Sequence, residues 1–94
     1  MKESQIERHL VNGVKALGGL CYKFTSPGTI GVPDRIIIIG GRVIFVELKA
    51  DRGRLAKIQQ YTIEEIQKRG AEVRVVKGMD EVKALLSEIK GGAE

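Results

Sequence analysis

Apolar positions recur along this chain with two different periods, and the switches between them predict seven elements. In residues 1–18, Ile6, Leu10, Val14 and Leu17 fall at helical spacing and form one stripe, and Gly18-Gly19 ends the predicted helix. Residues 20–24 are short, apolar and partly aromatic, which predicts a strand. Residues 25–32 (TSPGTIGV) are rich in turn formers and predict a loop. Residues 35–39 and 42–46 are rich in β-branched side chains, with Gly40-Gly41 between them as a two-residue hairpin signal. The second of these strands continues through 47–50, and 51–54 form a short basic loop. Residues 55–69 predict a helix with Leu55, Ile58, Thr62 and Ile66 on one face, stopped by Gly70. A strand follows at 71–77. Asp80 can cap a last helix carrying Val82, Leu85, Leu86 and Ile89 as its buried stripe, and residues 91–94 read as a frayed tail.

The order is therefore α-β-β-β-α-β-α. The hairpin strands are apolar on both faces, and such strands need cover from helices on both sides. The expected fold is a three-layer α/β/α domain around a central mixed sheet, with residues 1–94 as a single domain.

Against this apolar background a few polar residues converge. With Gly40 and Gly41 as the turn, Ile39 pairs with Arg42, and the pairing run outward sets Asp34 opposite Glu47. Directly opposed residues share a face, with Cβ atoms about 4.5–5.5 Å apart. Lys49, two residues beyond Glu47, projects on the same face. Two opposed carboxylates repel unless a cation lies between them, and Mg²⁺ or Mn²⁺ suits oxygen ligands of this kind. A nearby lysine can orient the attacking water and support its deprotonation, so the set has the parts that phosphodiester hydrolysis requires. A one-residue slip of the hairpin would dissolve the arrangement.

Two further polar residues interrupt apolar stripes. Glu7 lies at the edge of the first helix's stripe. It either serves the active centre or closes a capping box with Ser4. Gln59 falls inside the apolar arc of its helix while Gln60 points away, so Gln59 either supports the site or is a buried amide bonded to backbone. Arg52, Arg54 and Lys57 form a small basic group beside Lys49, suited to phosphate contacts. His9 falls on the polar face of its helix.

Composition narrows the chemistry further. Sixteen Lys+Arg against twelve Asp+Glu give a net charge of +4, compatible with a polyanionic partner. Cys21 and His9 are each alone of their kind. This excludes an internal disulfide and a zinc site of the usual nitrogen and sulfur ligands within one chain. Cys21, in an apolar run, reads as buried filler. There is no Ser-His-Asp set, phosphate-binding glycine loop or familiar DNA-reading motif. No cofactor other than a divalent metal ion is expected. Neither a signal peptide nor an apolar run long enough to cross a bilayer is found, so no membrane association is expected. The default compartment is intracellular and reducing.

Gly31-Val32-Pro33-Asp34, Phe45-Val46-Glu47-Leu48-Lys49, Gly53-Arg54-Leu55 and Gln59 together resemble the VRR-Nuc branch of the PD-(D/E)XK nucleases. Order and spacing agree over nearly the whole chain. The resemblance implies a metal-dependent endonuclease with Glu7, Asp34 and Glu47 as metal ligands and the Leu48 carbonyl assisting. It implies that Lys49 orients the nucleophilic water and that Gln59 supports the site. A chain holding this domain alone is similar to phage or prophage versions, expected to act as homodimers on branched DNA. The leading expectation is a four-way (Holliday) junction resolvase. The alternatives are a monomeric flap or nicking nuclease and a catalytically silent DNA-binding module. Dimer contacts are expected at the hairpin edges or the terminal helices.

Overall fold

A computed structural model describes residues 2–92. The elements follow the expected order: α1 (Glu3–Ala16), β1 (Leu20–Lys23), β2 (Arg35–Ile39), β3 (Arg42–Lys49), α2 (Lys57–Lys68), β4 (Glu72–Lys77) and α3 (Gly78–Gly92). The strands lie in the order β1-β2-β3-β4. The first three pair antiparallel and β4 joins β3 parallel, with α2 as the crossover, so the sheet is mixed.

Side-chain alternation gives the sheet two unlike faces. Ile37, Ile39, Ile44, Val46 and Leu48 point to one face and form the main core with Ile6, Leu10 and Val14 of α1 and Val82, Leu85 and Ile89 of α3. Gly13 lets the two helices close together, because a Cβ there would collide with Leu86. The other face is covered by α2 only at the β3–β4 side, where Thr62, Ile63 and Val73 are buried. On β1–β3 that face stays open: Leu20, Tyr22, Ile38 and Val43 are 46, 56, 40 and 50% exposed. Apolar surface was expected on the terminal helices. Among the described residues no large apolar side chain of α1 or α3 is exposed, because the two stripes cover one another.

Three helix boundaries differ from expectation, each because a side chain caps the backbone at an unforeseen place. Helix α1 starts at Glu3, with the Lys2 N–H donating to Gln5 Oε1 at 3.1 Å, so Glu7 lies beyond the cap. Helix α2 starts at Lys57 rather than 55, because Gln59 Oε1 accepts the Ala56 N–H at 2.9 Å while Ala56 is extended. Its buried positions are Thr62 and Ile63, and Ile58 is 46% exposed. The inward face is therefore rotated from the expected Leu55-Ile58-Thr62-Ile66 stripe. Helix α3 follows β4 without a loop. Gly78, at φ +77°, makes the turn and leaves room for the Asp51 carboxylate, while Glu81 Oε1 accepts the Lys77 N–H at 2.9 Å. Asp80 is thus an exposed first-turn residue rather than the cap. Gly91 and Gly92 belong to the last turn, and residues 93 and 94 of the expected frayed tail lie outside the described residues.

Candidate active site

The hairpin register is the expected one: Ile39 pairs with Arg42 and, at the far end, Arg35 with Val46. The ladder stops there because Pro33 has no N–H to continue it. One step beyond, Asp34 stands across from Glu47, held at both ends. Its carbonyl accepts the Phe24 N–H at 2.9 Å, and its Oδ2 accepts the Leu48 N–H at 2.8 Å. Leu48 thus enters the site through its backbone N–H.

Glu47 alternates with the core residues Val46 and Leu48, so its side chain lies on the α2 face of the sheet. It is 1% exposed. Oε2 accepts a hydrogen bond from Gln59 Nε2 at 3.0 Å and lies 3.5 Å from Lys49 Nζ. Oε1 is buried with no hydrogen-bond partner. Such an atom is costly to bury, by about 1–3 kcal/mol for a neutral group and more for a charged one. Burial pushes the Glu47 carboxyl up to about 7, the charge of Asp34 adds to the rise, and Lys49 opposes it. Glu47 is therefore a carboxylate short of positive charge.

Gln59 is oriented without ambiguity. Its oxygen is used by the Ala56 N–H, so its NH₂ group faces Glu47. Gln59, half-buried, thus bonds to backbone and to Glu47 at once. Gln60 is exposed. Gln59→Ala is expected to slow turnover at least about tenfold and to lower stability by about 1 kcal/mol, the scale of a lost cap, whereas Gln60→Ala changes neither. Steady-state cleavage and thermal unfolding of both variants test this, and equal effects would remove Gln59 from the site.

Glu7 is placed differently. Arg35 Nε donates to its Oε2 at 2.7 Å, and Arg35 also donates to the Cys21 carbonyl at 3.4 Å. Among the described residues no three acidic, histidine or cysteine side chains converge as a metal-binding group. Glu3, one turn earlier on α1, adds the smallest of the charges that raise the Glu47 carboxyl. Cys21 is buried, as expected of filler, and burial pushes its thiol up.

Arg52, Arg54 and Lys57 are exposed and form no salt bridge among the described residues. Arg42 and Arg74, by contrast, are occupied by Glu72 and Glu88 at the opposite end of the sheet. Arg52 and Arg54 on the loop that leaves β3 after Lys49, and Lys57 at the start of α2, are therefore available to an anionic ligand.

The donor set fits a hard divalent cation. Two facing carboxylates, one with an unpartnered buried oxygen, are oxygen ligands, and Mg²⁺ needs only one or two from protein because it retains several waters.

Known proteins resemble this chain in sequence and in fold. The VRR-NUC domain family matches residues 4–80. A protein of Acyrthosiphon pisum secondary endosymbiont phage 1, provisionally named nuclease p44, is 53% identical over 51 residues, which are 53% of this chain and 55% of that protein. The aligned stretch thus spans about half the length of that relative. A solved VRR_NUC domain superposes with a TM-score of 0.83 at 31% identity, covering 90% of this chain and 94% of that one. Hjc, a Holliday junction resolvase of the archaeal hyperthermophile Archaeoglobus fulgidus, superposes with a TM-score of 0.58 at 18% identity, covering 80% of this chain and 67% of Hjc. That last likeness is one of fold. Among the described residues no helix is long and apolar enough to cross a membrane.

Proposed function

Because the chain belongs to the VRR-NUC domain family, we propose that it is a divalent-metal-dependent endodeoxyribonuclease acting on branched DNA, with Asp34, Glu47 and Lys49 at its centre. The observation that carries this reading is the buried, partly unpartnered Glu47 facing Asp34 with Lys49 alongside. A polar group arranged at such cost in a small core indicates a ligand.

In this reading Asp34 and Glu47 hold Mg²⁺ or Mn²⁺, with the Leu48 carbonyl and Glu7 as further ligands. Engagement of Glu7 requires its release from Arg35. The ion supplies Lewis-acid stabilisation of charge on the scissile phosphate. Lys49 orients the attacking water and takes part in its deprotonation. Gln59 keeps Glu47 in place through its amide. Arg52, Arg54 and Lys57 contact backbone phosphates, which fixes the strand without reading its sequence. Hjc is described as a Holliday junction resolvase, and the shared fold favours four-way junctions as the substrate.

Cutting both strands of a junction symmetrically needs two sites, which a C2 dimer supplies. The open sheet face supports this. Leu20, Ile38 and Val43 stand in one row across three strands, and Tyr22, Ile36 and Phe45 in the next. No charge interrupts these rows, so the surface can meet a second copy of itself in a sheet-on-sheet contact. Ile38→Lys is expected to turn a dimer into a monomer in sedimentation at micromolar concentration. The functional test offers purified protein, with Mg²⁺ or Mn²⁺, a panel of duplex, flap and four-way-junction DNA. Paired nicks in the junction are expected. A strictly monomeric protein that cuts flaps and spares junctions would replace the resolvase reading with that of a flap nuclease.

A further inference from the structure

Three exposed apolar side chains lie apart from the open sheet face: Ile30, Ile58 and Tyr61, at 77, 46 and 61% exposure. They belong to one place. The loop between β1 and β2 is tied to α2 where the Ile30 carbonyl accepts the Thr62 hydroxyl at 2.9 Å. At the next residue, Gly31 has φ +88°, and a Cβ there would lie 2.8 Å from the Ile58 carbonyl oxygen. Only glycine permits both that conformation and that approach. Thr62 itself is buried and Pro33 is buried, so the chain is held from the Ile30 carbonyl to Pro33. An isoleucine held this way with three quarters of its surface in water gains nothing from the fold. Ile58 and Tyr61, three residues apart on α2, continue the same surface.

Its position decides what it can meet. Ile58 precedes Gln59, which bonds to Glu47, and Ile30 lies four residues before Asp34. Lys57, one residue from Ile58 and four from Tyr61, brings an exposed cation to the edge of the apolar cluster, and Arg52 and Arg54 lie on the loop leading into α2. Cations beside an aromatic and two aliphatic side chains match a ligand that carries both phosphates and flat apolar faces. A nucleic-acid strand has both, but in continuous duplex the base faces are hidden in the stack. They become available at a branch point, a flap or a junction.

We infer that Ile30 and Tyr61, backed by Ile58, form an apolar platform on which a base at a DNA branch point stacks. The inference rests on the nuclease reading and assigns the site's preference for branched over continuous DNA to these side chains. Aromatic stacking serves every base, so the preference is for structure and not for sequence. Because the side chains project into solvent, their truncation leaves the fold intact.

The test measures binding with EDTA present, so that no cleavage intervenes. A four-way junction and a continuous duplex each carry 2-aminopurine, at the branch point or the equivalent position. Tyr61→Ala combined with Ile30→Ala is expected to lower junction affinity about tenfold, in line with the loss of one stacked base, with under twofold change on duplex. The 2-aminopurine signal that the wild-type protein induces at the branch point is expected to disappear in this variant and to persist in Tyr61→Phe. Arg54→Ala is expected to weaken both DNAs alike. Equal losses on junction and duplex, or an unchanged 2-aminopurine response, would overturn the platform while leaving the nuclease reading intact. A change in sedimentation without a change in DNA preference would overturn it in favour of a self-association surface. A wild-type protein that binds neither DNA would overturn both readings.

Discussion

Asp34→Asn and Glu47→Gln each reduce divalent-ion-dependent DNA cleavage by roughly 10³-fold or more, with the far-ultraviolet circular dichroism spectrum unchanged. The size follows from the chemistry assigned to the pair. A divalent ion contributes several kcal/mol of transition-state charge stabilisation, and each 1.36 kcal/mol is a factor of about ten in rate. Both substitutions keep the shape and an oxygen acceptor. The amide oxygen introduced by Asp34→Asn can still accept the Leu48 N–H, and the one introduced by Glu47→Gln can still accept from Gln59. The hydrogen bonds at 2.8 and 3.0 Å therefore have a continuing partner. Only the charge is removed. Lys49→Ala separates binding from turnover: Mn²⁺ affinity, read by calorimetry, persists while cleavage falls by a similar factor. Glu7→Gln tests the outlying acid. A ligand role predicts lost cleavage at near-normal stability, whereas a role confined to the Arg35 pair predicts normal cleavage and a modest loss of stability. Wild-type rates for Asp34→Asn would move the active centre elsewhere.

In EDTA, the folded protein loses stability as the pH rises from 5 to 8, and Glu47→Gln abolishes most of that loss. The Glu47 carboxyl sits at about 7 against an ordinary 4.5, chiefly because it is buried and secondarily because Asp34 faces it. Between those values the folded chain holds a proton that the unfolded chain has released. Stability from this group is therefore full below the unfolded value and is lost as pH rises through the folded one. At 1.36 kcal/mol per unit the upper limit is about 3 kcal/mol. Urea unfolding at pH 5.5 and pH 8 measures it directly. Mg²⁺ or Mn²⁺ favours the ionised carboxylate, so the stabilisation each ion brings is larger at pH 8 than at pH 5.5 and is largely absent from Glu47→Gln. A wild-type stability flat across this range, with and without the ion, would show that Glu47 is not a strained carboxylate.

Glu47 is common to these two predictions, and the reason it is singled out was only half visible in the chain. The pattern Phe45-Val46-Glu47-Leu48-Lys49 announces an acid in an apolar strand. The Gly40-Gly41 turn announces that Asp34, just before β2, faces it. Both statements are local, because a two-residue hairpin and a period of two determine register and face without reference to anything distant. The observed pairs, from Ile39 with Arg42 to Arg35 with Val46, follow that logic. The inward direction of Gln59 was equally readable from helical periodicity, although its two hydrogen bonds, from the Ala56 N–H and to Glu47, were not.

Three features depended on tertiary structure. Helix starts moved because Gln5, Gln59 and Glu81 cap backbone N–H groups by reaching back along the chain, a competition that residue spacing leaves open. Glu7 found Arg35, twenty-eight residues away, because α1 packs across the face of the sheet to which Arg35 points. The Ile30 surface arose because Gly31 lets a loop touch the backbone of α2, which turns a plain turn-rich segment into a fixed apolar prominence.

By itself, then, the sequence determined the order of elements, the hairpin register, and the meeting of Asp34, Glu47 and Lys49 on one face, all consequences of periodicity and turn chemistry acting over a few residues. The tertiary structure alone decided how deeply Glu47 is buried, which partner Glu7 finds, and which apolar residues remain in water. Those depend on where helices dock against the sheet, and docking is set by the summed packing of side chains far apart in the chain.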